Sequence, residues 1–275
     1  MPQFNEDNTV EQMFIDTLKK NGWKYIPADE LHRDYTDVIV EPMVKNALIR
    51  LNPEIAEEPS RADEVIYKLR AMLQPFPSDN LVAQNEVFKQ KLFEENSFPF
   101  GKDGRPTPIK YFGTITKEAL AQNEYVVTNQ WIYPTIENGK RFDIVLLING
   151  FPVAIGELKT PVRNAISWLD GAQDISDYEK SVPEMFVPNV FNFASEGKCY
   201  RYGSINMPLT KWGPWHTPDH KVEGSLADVK ISIADMITPD KVMDIMQFFT
   251  LFSTDKKHRK IKVICRYQQI GRAHV

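Results

Sequence analysis

Residues 141–159 read Arg141-Phe-Asp-Ile-Val-Leu-Leu-Ile-Asn-Gly-Phe-Pro-Val-Ala-Ile-Gly-Glu-Leu-Lys159. Two apolar runs flank Asn149-Gly150, a pair that readily takes the positive φ angles of a tight hairpin turn. Three charged residues interrupt those runs: Asp143, Glu157 and Lys159. A charge inside an apolar strand is costly unless it is paired or bound to metal. Alternation places Glu157 and Lys159 on one face and Leu158 on the other. Strict pairing outward from a two-residue turn sets Phe142 opposite Glu157, which leaves Asp143 on the wrong face. Joint use of Asp143 and Glu157 therefore requires a three-residue loop or a β-bulge in this hairpin.

An acid-x-Lys triplet is by itself a weak signal, since it starts also at Glu196, Asp219, Asp228 and Asp255. Only the triplet at Glu157 lies on a strand whose apolar partner carries its own acid, Asp143. Two carboxylates on neighbouring strands, with the Leu158 carbonyl, make an all-oxygen site suited to Mg²⁺, with Mn²⁺ as a substitute. A cation there polarises a phosphate oxygen and neutralises developing charge. Lys159 beside it can orient or deprotonate a water and stabilise the transition state. That chemistry is metal-dependent phosphodiester hydrolysis. The competing reading is a buried ion pair of Lys159 with Glu157 or Asp143, because structural ion pairs use the same residues.

Outward from the hairpin, strands are expected over 111–114, 124–134, 186–193, 198–202 and 261–264, where β-branched and aromatic residues concentrate. Helical spacing marks 9–22, 36–50, 61–74, 81–95, 164–180 and 240–252. In the first of these, Thr9 is the expected cap and Gly22 the stop, with Glu11 in the first turn, where the helix dipole favours an acid. Residues 205–225, with three Pro and two Trp, read as a structured loop. Helices, then strands with a helix inserted, then a helix leading to a new strand give an α/β (α+β) class: a mixed sheet flanked by helices.

Composition sets bounds on partners. The chain has 42% apolar and 25% charged residues, which excludes a disordered or low-complexity chain. A net charge of −4 means that any contact with DNA uses a local patch or partner subunits, not bulk charge. Two distant cysteines, Cys199 and Cys265, form no disulfide framework, so a reducing cytoplasm is expected. No apolar run reaches membrane-spanning length, and no G-x-x-x-x-G-K-[ST] loop is present to hold ATP. His216 and His220 have a ligand spacing but are split by Pro218, which disfavours zinc. The run from Lys256 to Lys260 reads as a solvated basic linker or a phosphate contact. Residues 271–275 fit no strand pattern and carry no fold expectation.

Asp143 followed by Glu157-Leu-Lys159 resembles the D…(D/E)-x-K nuclease superfamily. The wider block, "FDIVLLINGFPVAIGELKTP" with "VVTNQW" before it and "DYEKSVPEMF" after it, resembles the N-terminal nuclease domain of the restriction (R) subunit of type I restriction-modification enzymes. The resemblance extends weakly to Thr9-Val-Glu11, and to "KVICRYQQ", which looks like the entry to an ATP-driven translocase. It implies a restriction-endonuclease-like fold over residues 1–235, with 236–275 as a connecting helix and the start of the motor. It implies cleavage of double-stranded DNA, Mg²⁺ dependence, ATP use only by the downstream motor, and assembly with modification and specificity subunits. Asp143 and Glu157 become metal ligands, Lys159 and Tyr178 further site residues, and Glu11 a candidate third acid. The family's Gln-x-x-x-Tyr element is matched at Tyr178, but Asp174 stands four residues before it and Gln173 one earlier, so either can serve. Two alternatives stay open: a degenerate nuclease fold acting as a docking module, and a repair or junction nuclease of the same superfamily.

Overall fold

The computed structural model describes residues 9–135, 139–160 and 167–269. The chain opens on α1 (Thr9–Lys20), in which Thr9 is already helical and Gly22 takes φ +96° just beyond the end. A short β1 (Lys24–Tyr25) leads to the helices α2 (Glu41–Leu51), α3 (Pro53–Glu57), α4 (Arg61–Met72) and α5 (Leu81–Phe93). The small pair β2 (Ser97–Phe98) and β3 (Thr107–Pro108) and one turn of helix, α6 (Lys117–Leu120), precede the main strands. These are β4 (Tyr125–Tyr133), β5 (Lys140–Ile148) and β6 (Phe151–Leu158). Helix α7 (Trp168–Ser181) crosses to β7 (Phe191–Ser195), which turns into β8 (Tyr200–Gly203). Helices α8 (Leu226–Met236) and α9 (Pro239–Gln247) are followed by a separate hairpin, β9 (Thr250–Thr254) and β10 (Lys260–Ile264).

Six strands form one mixed sheet in the order β1-β4-β5-β6-β7-β8. The β6/β7 pair is parallel, as is β1/β4, and the other pairs are antiparallel. The class is α+β, as the sequence pattern indicates. Central strand β5 is buried on both faces from Ile144 to Ile148, which explains its continuous apolar run.

The hairpin turn is locked in the core. Asn149 and Gly150 take φ +50° and +86°, the signs a tight hairpin turn needs. The buried Asn149 amide donates to the Tyr111 carbonyl at 2.9 Å and its oxygen accepts from the Glu124 N–H at 2.8 Å. A Cβ on Gly150 would lie 2.6 Å from the Val40 carbonyl, so a side chain there collides with the lead-in to α2.

Beyond the turn lies the required irregularity. Ile148 pairs with Phe151 and Leu147 with Pro152, but Leu146 pairs with Ala154. Val153 is the extra residue of a bulge, and its carbonyl accepts from the Val190 N–H at 2.7 Å. Pairing then continues to Ile144 opposite Gly156, which carries Asp143 to the level of Glu157.

Several expectations differ in detail. Residues 36–40 are a turn and bends whose last three residues, Val38, Ile39 and Val40, are buried, and α2 starts at Glu41 beside Pro42, which suits the first helical turn. Residues 111–114 form bends, held by Asn123 bonds to Gly113. Of the stretch 186–193, Phe186 ends a short 3-10 turn (Pro183–Phe186), 187–190 are turn and irregular chain, and β7 begins at Phe191. Helix α8 lies just after the expected loop and was not anticipated. The expected helix over 240–252 stops at Gln247, and its tail pairs as β9 with β10. The basic run Lys256–Lys260 is thus the turn of a hairpin, where Asp255 holds Arg259, and not a linker.

The sheet faces assign the helix layers. A Cβ on Gly171 of α7 would lie 3.3 Å from the Glu157 Cβ and 3.3 Å from that of Ala194, so α7 covers the face of Glu157. On the other face, Phe14 of α1 stacks on Phe193, with ring centroids 5.6 Å apart. A Cβ on Gly156 would lie about 2 Å from the Phe193 ring, at 2.1 Å from its nearest carbon. Gly156→Ala therefore pushes Phe193 off Phe14. The expected outcome is a loss of about 1–3 kcal/mol in stability, seen as a lower urea midpoint at unchanged slope.

Candidate active site

Asp143 and Glu157 meet at one end of the sheet, on the face covered by α7. Asp143 Oδ2 accepts from the Leu158 N–H at 2.9 Å, and the Asp143 N–H lies 3.4 Å from Glu157 Oε1. Each carboxylate is thus positioned by the backbone of the other's strand, a consequence of the bulge. Glu157 is 2% exposed. Burial, and then the charge of Asp143, push its carboxyl well above the usual carboxylate range.

Lys159 lies on the same face, with Nζ 4.0 Å from Glu157 Oε2. Its closest partner is the Asp174 carboxylate on α7. Burial draws the ammonium's pKa down, but the bond to Asp174 and the charges of Glu157 and Asp143 outweigh it and raise the net value. The Asp174 carboxylate thus favours the charged ammonium at Lys159. Asp174 also settles which residue of the helix faces the site. Gln173, one residue earlier, is exposed and donates to Asp177 at 3.2 Å.

Helix α7 reaches this position because its start is well formed and its inner face is small. Ser167 and Asp170 make a reciprocal capping box, and Gly171 and Ala172 are buried against the sheet. One turn beyond Asp174, Tyr178 packs edge-on against Phe142 at 5.2 Å, with the Lys140 ammonium 5.5 Å from its ring centroid. Burial, and then the charges of Glu157, Asp174 and Asp143, push the Tyr178 phenol up. The far side of α7 is tied down by Glu179, which accepts from Asn192 at 2.9 Å and from the Asn206 N–H at 2.8 Å. Burial raises that carboxyl to about 7.

Glu11 enters from the other helix layer. Its carboxylate accepts from Asn129 Nδ2 at 2.5 Å and from Gln130 Nε2 at 2.9 Å. Gln130 Nε2 also lies 3.5 Å from Asp143 Oδ1, so Glu11 joins the site through an amide. Burial raises the Glu11 carboxyl, against the lowering effect of the Asn129 bond. Gln130 takes φ +53°, left-handed for a residue that is not glycine, at a cost of about 1–3 kcal/mol. Asn129 and Gln130 carry no mark of their own in the sequence, since an amide pair on a strand has no periodic signature. The histidines of 216–220 point elsewhere, His220 to Asp228 at 2.8 Å.

Among the described residues, no three or more His, Cys, Asp or Glu side chains converge into a ready-made metal cage. The donor set nevertheless suits a hard divalent cation of the Mg²⁺ type, which is commonly held by one or two carboxylates together with waters and substrate phosphates. Glu157, whose carboxyl is pushed up by burial and by the neighbouring Asp143, is the group such a charge would relieve.

Over residues 3–210 the chain matches the family described as "Type I restriction enzyme R protein N terminus". The chain belongs to this family. It is 26% identical over 278 aligned residues, 96% of the chain, to the type I restriction enzyme HindI endonuclease subunit of Haemophilus influenzae. It is 27% identical over 219 residues, 76% of the chain, to a protein of Methanocaldococcus jannaschii whose name assigns it to the MjaIXP type I restriction enzyme as endonuclease subunit. The aligned part covers 26% and 20% of those relatives, so the chain spans about a quarter of the length of the curated relatives it matches. No helix among the described residues is long and apolar enough to cross a membrane.

The Glu157 carboxyl gives a pH prediction. Its folded pKa is raised above the unfolded one, so the folded chain binds more protons just above the ordinary carboxylate range. Stability contributed by this group is therefore lost as pH rises through that window. Without divalent cations, Glu157→Gln should melt higher than wild type, by at least about 2 °C at pH 8, roughly the shift 1 kcal/mol produces at this size. The gain should shrink at pH 5. Thermal denaturation in chelator at both pH values checks it.

Proposed function

We propose that the domain is the Mg²⁺-dependent DNA endonuclease of a type I restriction enzyme R subunit, built on the D…(D/E)-x-K arrangement. The observation that supports this best is the bulge at Val153, which brings Asp143 and Glu157 to one face beside Lys159. A purely structural hairpin has no need of an interruption that puts two acids together inside an apolar sheet.

In this reading Asp143, Glu157 and the Leu158 carbonyl hold Mg²⁺, or Mn²⁺ in its place. A cation held by these residues would supply charge neutralisation at the scissile phosphate and polarisation of its oxygen. Lys159, kept protonated by Asp174, orients the attacking water and stabilises the phosphate transition state as a cation. Tyr178 lies on the same helix with Lys140 over its ring, in position to meet the DNA backbone. Double-stranded DNA is the substrate, and modification and specificity subunits supply recognition, in the cytoplasm. ATP is used by a downstream translocase motor, of which residues 236–275 form the connecting helix and the start.

The test separates cutting from motor activity. In the assembled full-length enzyme, Asp143→Ala and Lys159→Ala should each lower cleavage of supercoiled DNA by at least about 10²–10³-fold, the scale for losing one transition-state stabiliser. ATP turnover should persist. Wild-type cutting by either variant would show that these residues are structural.

The acidic 275-residue chain, without partners, should bind DNA only weakly. A Kd on the order of tens of micromolar or weaker at physiological salt is expected from nonspecific phosphate contacts. Fluorescence anisotropy on a labelled duplex measures this, and tight sequence-specific binding by the chain alone would overturn the subunit assignment.

A further inference from the structure

We infer that Gln130 is a positioning residue of this site. Its amide ties Glu11 to Asp143 and sets the orientation in which Asp143 presents its carboxylate to a divalent cation. The inference rests on the metal-site reading of Asp143 and Glu157.

In a regular strand Asn129 and Gln130 point to opposite faces. Here both amides reach one carboxylate, that of Glu11. The left-handed backbone at Gln130 breaks the alternation and makes this possible. It serves no purpose in register: Asn129 pairs with Ile144 and Trp131 with Phe142, so no residue is inserted, and Gln130 lies level with Asp143. Glycine would adopt the same backbone with less strain. A glutamine at this position is explained by the work of its side chain.

That side chain completes the hold on Asp143. The Leu158 N–H fixes one carboxylate oxygen at 2.9 Å, and the Gln130 amide faces the other at 3.5 Å. Both carboxylate oxygens thereby face a donor. The same amide anchors Glu11, which comes from helix α1, so one residue joins that helix layer to the acid on β5. Groups that orient a metal ligand in this way typically change metal affinity by about 10–100-fold when removed.

The experiment is Mn²⁺ binding to the 275-residue chain without DNA, read as loss of the free-ion EPR signal, with thermal denaturation in parallel. Gln130→Gly keeps the backbone conformation and removes the amide. Its affinity should fall at least about tenfold while its melting temperature stays equal or rises. Gln130→Asn also tolerates the left-handed backbone but is too short to span Glu11 and Asp143, so the same weakening is expected. It decides the matter should the glycine variant fail to fold. Asp143→Ala is the reference and should abolish binding. If Asp143→Ala loses Mn²⁺ while folded Gln130 variants keep wild-type affinity, the positioning role is overturned and the metal site stands. If wild type binds no Mn²⁺, or Asp143→Ala binds it unchanged, the metal-site reading falls and this inference with it.

Discussion

Asp143 and Glu157 share a face only because β6 carries one residue more than β5 pairs with. Val153 is that residue, and everything at the site follows from the shift it introduces. Without it, the tight turn at Asn149-Gly150 would put the two carboxylates on opposite sides of a buried sheet. The turn itself cannot relax to compensate. Its Asn149 side chain is wired to Tyr111, Asn123 and Glu124, and its glycine abuts Val40. A rigid turn followed by a bulge therefore defines the distance between the acids more firmly than a flexible loop would.

The two helix layers take their positions from small residues on the sheet. Gly156 leaves room for Phe193, Phe193 receives Phe14, and that stack docks α1 with Glu11 at its first turn. On the other face, Gly171 lets α7 approach Glu157 closely enough for Asp174 to reach Lys159. Packing and chemistry are thus coupled: a methyl group at either glycine moves a layer that carries a site residue.

Charge at the site is balanced unevenly. Lys159 is committed to Asp174, which leaves the buried Glu157 with little compensation beside Asp143. An uncompensated buried carboxylate costs stability, and natural proteins retain such features where function uses them. The strained Gln130 is a second feature of this kind, and it sits opposite Asp143.

Much of this was legible in the residues. The Asn149-Gly150 turn, the acids on flanking strands, the Lys two positions after Glu157 and the need for a bulge all follow from period-two alternation, which is a local property. The α+β class and helices α1, α4, α5 and α7 follow from periodicity in the same way. Residues 111–114 find no strand partner and are held instead by Asn123, and the helix near 250 gives way to β9 because β10, a few residues further on, returns to pair with it. Helix α2 started late because its buried lead-in pairs with the hairpin turn through Val40 and Gly150. Spacing alone left Gln173 and Asp174 equivalent. Only the packing of α7 on Glu157 and Ala194 turns Asp174 inward and Gln173 to solvent. The link from Glu11 through Gln130 to Asp143 was also invisible in sequence. It spans well over a hundred residues of chain and depends on one backbone angle, which tertiary contact sets and no local pattern encodes.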